Sequence, residues 1–220
     1  MALRIFRKDM FVSALIIVIA IFLIGFYFGD RLDDFRVDDA TKILNRAELD
    51  SESFQVQEDF YNSFLKDMCS IDRSMASKLG KQLYDIGKTL DSYEVKKLTH
   101  KESYDLLKRK YFINELMFYN LKNRLNNNCN FNDSIILFFY DIEDPELSLR
   151  QGYILDILGR RDNNLTVISF DKDFDEESVR TLVNYYNIKF APTLIVNYNH
   201  KFEGFTSESE IKKALESTNR

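Results

Sequence analysis

Tyr186-Asn-Ile-Lys-Phe-Ala-Pro-Thr-Leu194 decides how the second half of this 220-residue chain is read. Pro192 is one of only two prolines, and it stands directly before the apolar run Thr193-Leu-Ile-Val-Asn-Tyr198. Because proline lacks a backbone donor, it suits the start of a strand or a sheet edge rather than a strand interior. Downstream, Asn199-His200 predicts a turn and Lys201-Phe-Glu-Gly-Phe205 a returning strand. Ser207, with Glu210 three residues later, forms a capping-box pattern for a last helix through Leu215. Upstream, the pattern predicts a helix over 175–186, a strand over 165–170 and a helix over 146–161. Ser134-Ile-Ile-Leu-Phe-Phe-Tyr140 is a short apolar run, as expected of a strand buried on both faces. The predicted order is β-α-β-α-β-β-α, an α/β domain over residues 131–220.

Three pieces of that order carry a resemblance. They are Phe170-Asp-Lys-Asp173 at the end of the second strand, Tyr186 to Leu194 as quoted, and Lys201-Phe-Glu-Gly204 before the last helix. Together they resemble the thioredoxin-like fold family over about residues 131–217. The resemblance implies a cis peptide before Pro192. It also implies that Ala191, Pro192 and Thr193 form an edge able to pair with an extended peptide by strand addition. In that family the loop between the first strand and first helix carries a C-x-x-C pair. Here Asp144-Pro145-Glu146-Leu147 stands in its place, with no sulfur. Disulfide exchange needs a thiolate nucleophile and a resolving thiol, and these side chains supply neither. The expectation is a redox-inactive relative, with Asp144 and Glu146 serving the helix start through capping and the helix dipole.

The first half is different. Met10 to Gly29 contains no charge, and as a helix it would span about 30 Å, the hydrocarbon thickness of a bilayer. It is longer than a signal-peptide core and has no small-x-small cleavage pattern, so the sequence predicts an uncleaved signal anchor. Arg4, Arg7 and Lys8 precede it, against Arg31 and Arg36 shortly after. This modest bias places residues 1–9 in the cytoplasm and the C-terminal domain outside the cell membrane. The whole chain carries a net charge of −5, and all of the acidic excess follows the apolar run. That balance, with a pI of about 5.2, argues against a nucleic-acid partner, which needs clustered cations. The 19 Phe and 12 Tyr exclude wholesale disorder, and two cysteines exclude a disulfide-dense scaffold.

Residues 30–130 read as a helical extracytoplasmic region. Phe60, Phe64, Met68, Ile71, Met75, Leu79, Leu83, Ile86 and Leu90 recur every three or four residues, as one helix or as two broken near Cys69. A second stripe runs through Leu106, Ile113, Met117, Leu121 and Leu125, and a turn at 91–94 would fold the two into a hairpin. Residues 37–55 stay open between a short helix and the strand-like alternation of Ser53-Phe-Gln-Val-Gln57. Cys69 and Cys129 are too far apart in sequence for a redox or metal motif. A hairpin could bring them together as a disulfide; two buried free thiols are the alternative.

His100 and His200 are isolated, so neither a metal nor another cofactor is expected. Asn132 and Asn164 head glycosylation triplets. The expected function is binding of a protein or peptide partner, with the membrane engaged only through the N-terminal helix, and the sequence leans away from an enzyme. The competing expectations are a thiol–disulfide oxidoreductase using Cys69 and Cys129, and a structural subunit of a membrane complex.

Overall fold

The computed structural model describes the backbone of residues 2–64, 68–96 and 101–218, and the side chains of 10–27, 41–61, 63–64, 68–90 and 103–217. The turn placed at 91–94 falls within a helix, and His100 lies outside the described residues. Three helices precede the sheet: α1 (Ala2–Phe64), α2 (Cys69–Lys96) and α3 (Lys101–Asn128). The sheet domain follows as β1 (Ser134–Tyr140), α4 (Pro145–Arg161), β2 (Leu165–Asp171), α5 (Glu177–Tyr185), β3 (Thr193–Val196), β4 (His200–Glu203) and α6 (Glu208–Thr218). The predicted β-α-β-α-β-β-α order is present.

Residues 37–55 are helical throughout, including Ser53–Gln57. Phe54 and Val56 look like alternate strand positions, but on the helix Phe54 is buried and Val56 faces solvent. Ala47, Ser51 and Phe54 recur at helical spacing on the face turned to the other helices. The Ser51 hydroxyl donates to Asn114 Oδ1 on α3 at 3.1 Å. Arg124 of α3 ties the bundle further, pairing with Glu58 of α1 and with Asp72 of α2. Within α1, Met10–Tyr27 is long and apolar enough to cross a membrane, and none of it is buried against the rest of the chain.

Cys69 and Cys129 form a disulfide with their Cα atoms 5.5 Å apart, joining the start of α2 to the residue after α3. Met75, Leu79, Leu83, Ile86 and Leu90 are buried as their spacing requires, whereas Phe60 and Phe64 are exposed. On α3 the predicted stripe holds only in part. Leu121 and Leu125 are buried, but Leu106 and Ile113 face outward, while Leu107, Phe112 and Tyr119 turn inward. The reason is that α3 has two neighbours. One side packs on α2, and Phe112 and Tyr119 enter the same core as Leu137, Phe139, Ile168 and Val179 of the sheet and α5.

The strand order is β2-β1-β3-β4, with β1 parallel to β2 and antiparallel to β3. The alternation of β1 explains its unbroken apolar sequence: Ile135, Leu137 and Phe139 face α3 and α5, and Ile136 and Phe138 face α4 and α6. At the β3–β4 turn, Asn197 and Tyr198 both take positive φ. Asn197 also extends the β1 ladder, its side-chain oxygen accepting from the Ile135 amide at 2.9 Å. Ser207 and Glu210 form the predicted capping box, the Ser207 amide donating to Glu210 Oε2 at 2.9 Å.

Candidate functional site at the carboxyl end of β1

The last residues of β1 lead into the loop that begins α4, and Phe139 pairs with Thr193 at the start of β3. The topology therefore brings Asp144–Leu147 and Ala191–Thr193, far apart in sequence, to one end of the sheet. The Ala191–Pro192 peptide is cis. Pro192 is buried and its carbonyl accepts from the Gly204 amide at 2.8 Å. Gly204 has a φ of +82°, a conformation other residues adopt at a cost. The Thr193 hydroxyl donates to the Phe190 carbonyl at 2.7 Å, which fixes the approach to the strand. Among the described residues, the Ala191 backbone has no such partner.

On the facing loop, Pro145 is the first residue of α4 and Asp144 stands at the cap position, yet the Asp144 side chain makes no capping hydrogen bond. Asp141 instead orders the loop before the helix. Its Oδ1 accepts from the Glu143 amide at 2.8 Å and the Asp144 amide at 3.3 Å. The Asp141 amide in turn donates to Ser148 Oγ at 3.1 Å, and Lys172 lies 3.4 Å from its Oδ2. The Glu143 amide, followed by the Asp144 amide and the Lys172 ammonium, holds the Asp141 carboxyl below its usual range. An aspartate two residues before the chain turns is a sequence signal for such an arrangement, and Asp141 was not among the residues singled out from sequence.

Asp144, Glu146 and Leu147 are exposed, and Leu147 has apolar company. Ile142 is 53% exposed, Leu147 42% and Phe190 61%. Two loops thus present apolar side chains at the same sheet end as the Ala191 backbone, where Asp144 to Leu147 contribute no thiol. Both cysteines are bound to each other at the α2–α3 junction. Such a surface can bury side chains and exchange hydrogen bonds, and its loop holds no nucleophile of the thiol type. Among the described residues, no group of three His, Cys, Asp or Glu side chains is placed to hold a metal ion. His200 is exposed at the start of β4, and Asn132 and Asn164 are exposed in loops.

No protein-family model matches the chain, and no curated protein matches it. Solved structures similar to it include thioredoxin-2 of the malaria parasite, described as a component of that parasite's protein secretion machinery. It is 18% identical, with 39% of this chain and 82% of that one covered and a TM-score of 0.34. A thioredoxin from Halobacterium salinarum is 19% identical, with 40% and 77% covered and a TM-score of 0.34. Thioredoxin O2 from Arabidopsis thaliana is 13% identical, with 48% and 90% covered and a TM-score of 0.37.

Proposed function

We propose that this chain is a membrane-anchored, extracytoplasmic thioredoxin-like module that binds an extended segment of a partner protein and performs no disulfide exchange. One observation carries the reading: the sheet end that bears the cis Ala191–Pro192 peptide is flanked by exposed Ile142, Leu147 and Phe190, while its loop reads Asp144-Pro145-Glu146-Leu147. Apolar side chains at the same sheet end as the open Ala191 backbone suit peptide recognition, in which the backbone supplies hydrogen bonds and pockets select side chains. The exposed run Met10–Tyr27 supports the anchor, and the lysine and arginine bias supports a cytoplasmic N-terminus.

The test is photocrosslinking in the native membrane, with benzoylphenylalanine at position 190 or 147 and a control at Lys212 on α6. Adducts of one defined partner at 190 and 147, and not at 212, are expected. The reading fails if crosslinks are equal at all three positions or absent. It also fails if the purified full chain reduces insulin disulfides in a manner abolished by Cys69→Ser, which would favour the oxidoreductase reading.

A further inference from the structure

The opposite side of the sheet carries a second surface, distinct from the one just described. β2 is the edge strand, paired with β1 on one side only. Its parity is set by two bonds to β1: the Lys172 amide donates to the Tyr140 carbonyl, and the Ser134 amide to the Asn164 carbonyl. Even-numbered residues therefore bond inward, and by alternation the backbones of Leu165, Val167 and Ser169 face outward. The Leu165 and Ser169 amides are satisfied within the chain, Leu165 by the Asp162 carbonyl and Ser169 by the Glu115 carboxyl group. Val167 sits between them, and its outward amide has no partner among the described residues.

A groove follows this edge on each face. The first, of about 600 Å³, lies between β2 and the helices α2 and α3, and its lining includes Gly87, Lys88, Phe118 and Glu115. The second, of about 340 Å³, lies between β2 and α4, where Gly152 and Gly159 keep the wall low. Leu165 and Val167 line both. Glu115 is buried, and while it accepts from Tyr111 and Ser169, its Oε2 has no hydrogen-bond partner. Burial first of all pushes its carboxyl up to about 8, so at neutral pH it carries a proton it could donate.

We infer that the outer edge of β2 is a docking site for one extended polypeptide segment, which adds as a further strand between α2 and α4 with an acidic side chain against Lys88. Two features select this occupant. An unpaired strand edge with the Val167 amide free at its centre is matched by another main chain. Lys88 is exposed on the rim and has no ion-pair partner among the described residues, so it offers a cation to an acidic side chain.

The test uses the full chain in detergent micelles and a phage-displayed library of random decapeptides. Enriched peptides are expected to alternate apolar residues and to carry Asp or Glu at a fixed position. Synthetic copies should lose at least tenfold in affinity when methylated at the strand-facing amides. Binding should fall equally with Val167→Pro, which removes the outward donor, and with Gly159→Trp, whose added side chain meets nothing within 4 Å at its first carbon. The Val167 amide should gain hydrogen-exchange protection on binding, a readout independent of whether the proline variant folds. No enrichment, or peptides indifferent to Gly159→Trp and to amide methylation, overturns the inference. So does a dimer of the chain that Gly159→Trp dissolves, since the occupant would then be a second copy. Crosslinking at position 190 is unaffected by these variants, which separates failure here from failure of the proposed function.

Discussion

Lys108 and Asp171 meet in an ion pair of 3.1 Å with side chains only 6% and 8% exposed, joining α3 to the last residue of β2. Lys108 also lies 4.8 Å from the centre of the Phe174 ring, so its charge has an aromatic face as well as a carboxylate for company. The helix before the sheet is thereby fastened to the strand by a charge as well as by the packing of Phe112 on Phe170.

Removing one partner of this pair leaves the other charge buried and alone. Lys108→Met is expected to lower unfolding stability by about 3–5 kcal/mol. The double variant Lys108→Met/Asp171→Leu should recover at least half of that, because neither charge then needs solvation. Urea denaturation of the two variants beside the parent decides it; a double variant as weak as the single one refutes the account.

The disulfide closes a loop of 60 residues. In the chain-entropy picture, opening it costs about 4 kcal/mol. Cys69→Ser and Cys129→Ser should destabilise equally, and reductant should bring the parent protein down to their level. Quantitative alkylation of both thiols in the native, unreduced protein would contradict the bond.

Glu115 gives stability a pH dependence. Its folded-state value of about 8 stands above the ordinary 4.5, so the folded state binds the extra proton between those limits. Its stabilising contribution is full below about pH 4.5 and is lost as pH rises toward 8. Thermal unfolding should show the parent weakening across that window relative to Glu115→Gln. Parallel curves for the two proteins would refute it.

The Ser207–Glu210 box satisfies amides at the start of α6. Ser207→Ala should cost about 1 kcal/mol, read as a shift in denaturation midpoint, and Ser207→Asp much less.

The sheet domain was legible because its signals are local. Proline before a strand, an apolar β1 buried on both faces, and a serine three residues before a glutamate each act over a few residues. The bundle was less legible because its faces depend on neighbours. Leu106 and Leu107 are equal candidates by periodicity, and only contact with α1 and α2 turns Leu107 inward. Glu115 is polar on a helix whose stripe was read from apolar residues, so no spacing rule finds it; its surroundings come from β2, fifty residues on. At the candidate site, the loop and Pro192 were found from resemblance, whereas Ile142 and Phe190 gain meaning only once β1 and β3 are adjacent. Asp144 was expected to cap α4, but its side chain makes no capping bond, and Asp141, three residues earlier, holds the Glu143 and Asp144 amides of the loop before the helix.

The unbroken backbone of α1 from Ala2 to Phe64 gears the two halves of the molecule together. A helix turns 100° and advances about 1.5 Å with each residue. One residue inserted between Tyr27 and Thr41 would therefore swing the sheet by more than a quarter turn about the axis of the apolar segment while lifting it barely an atom's width. Which way the sheet's two exposed edges look is set by the count of residues in that shaft, and a deletion of seven would return them almost to their starting bearing.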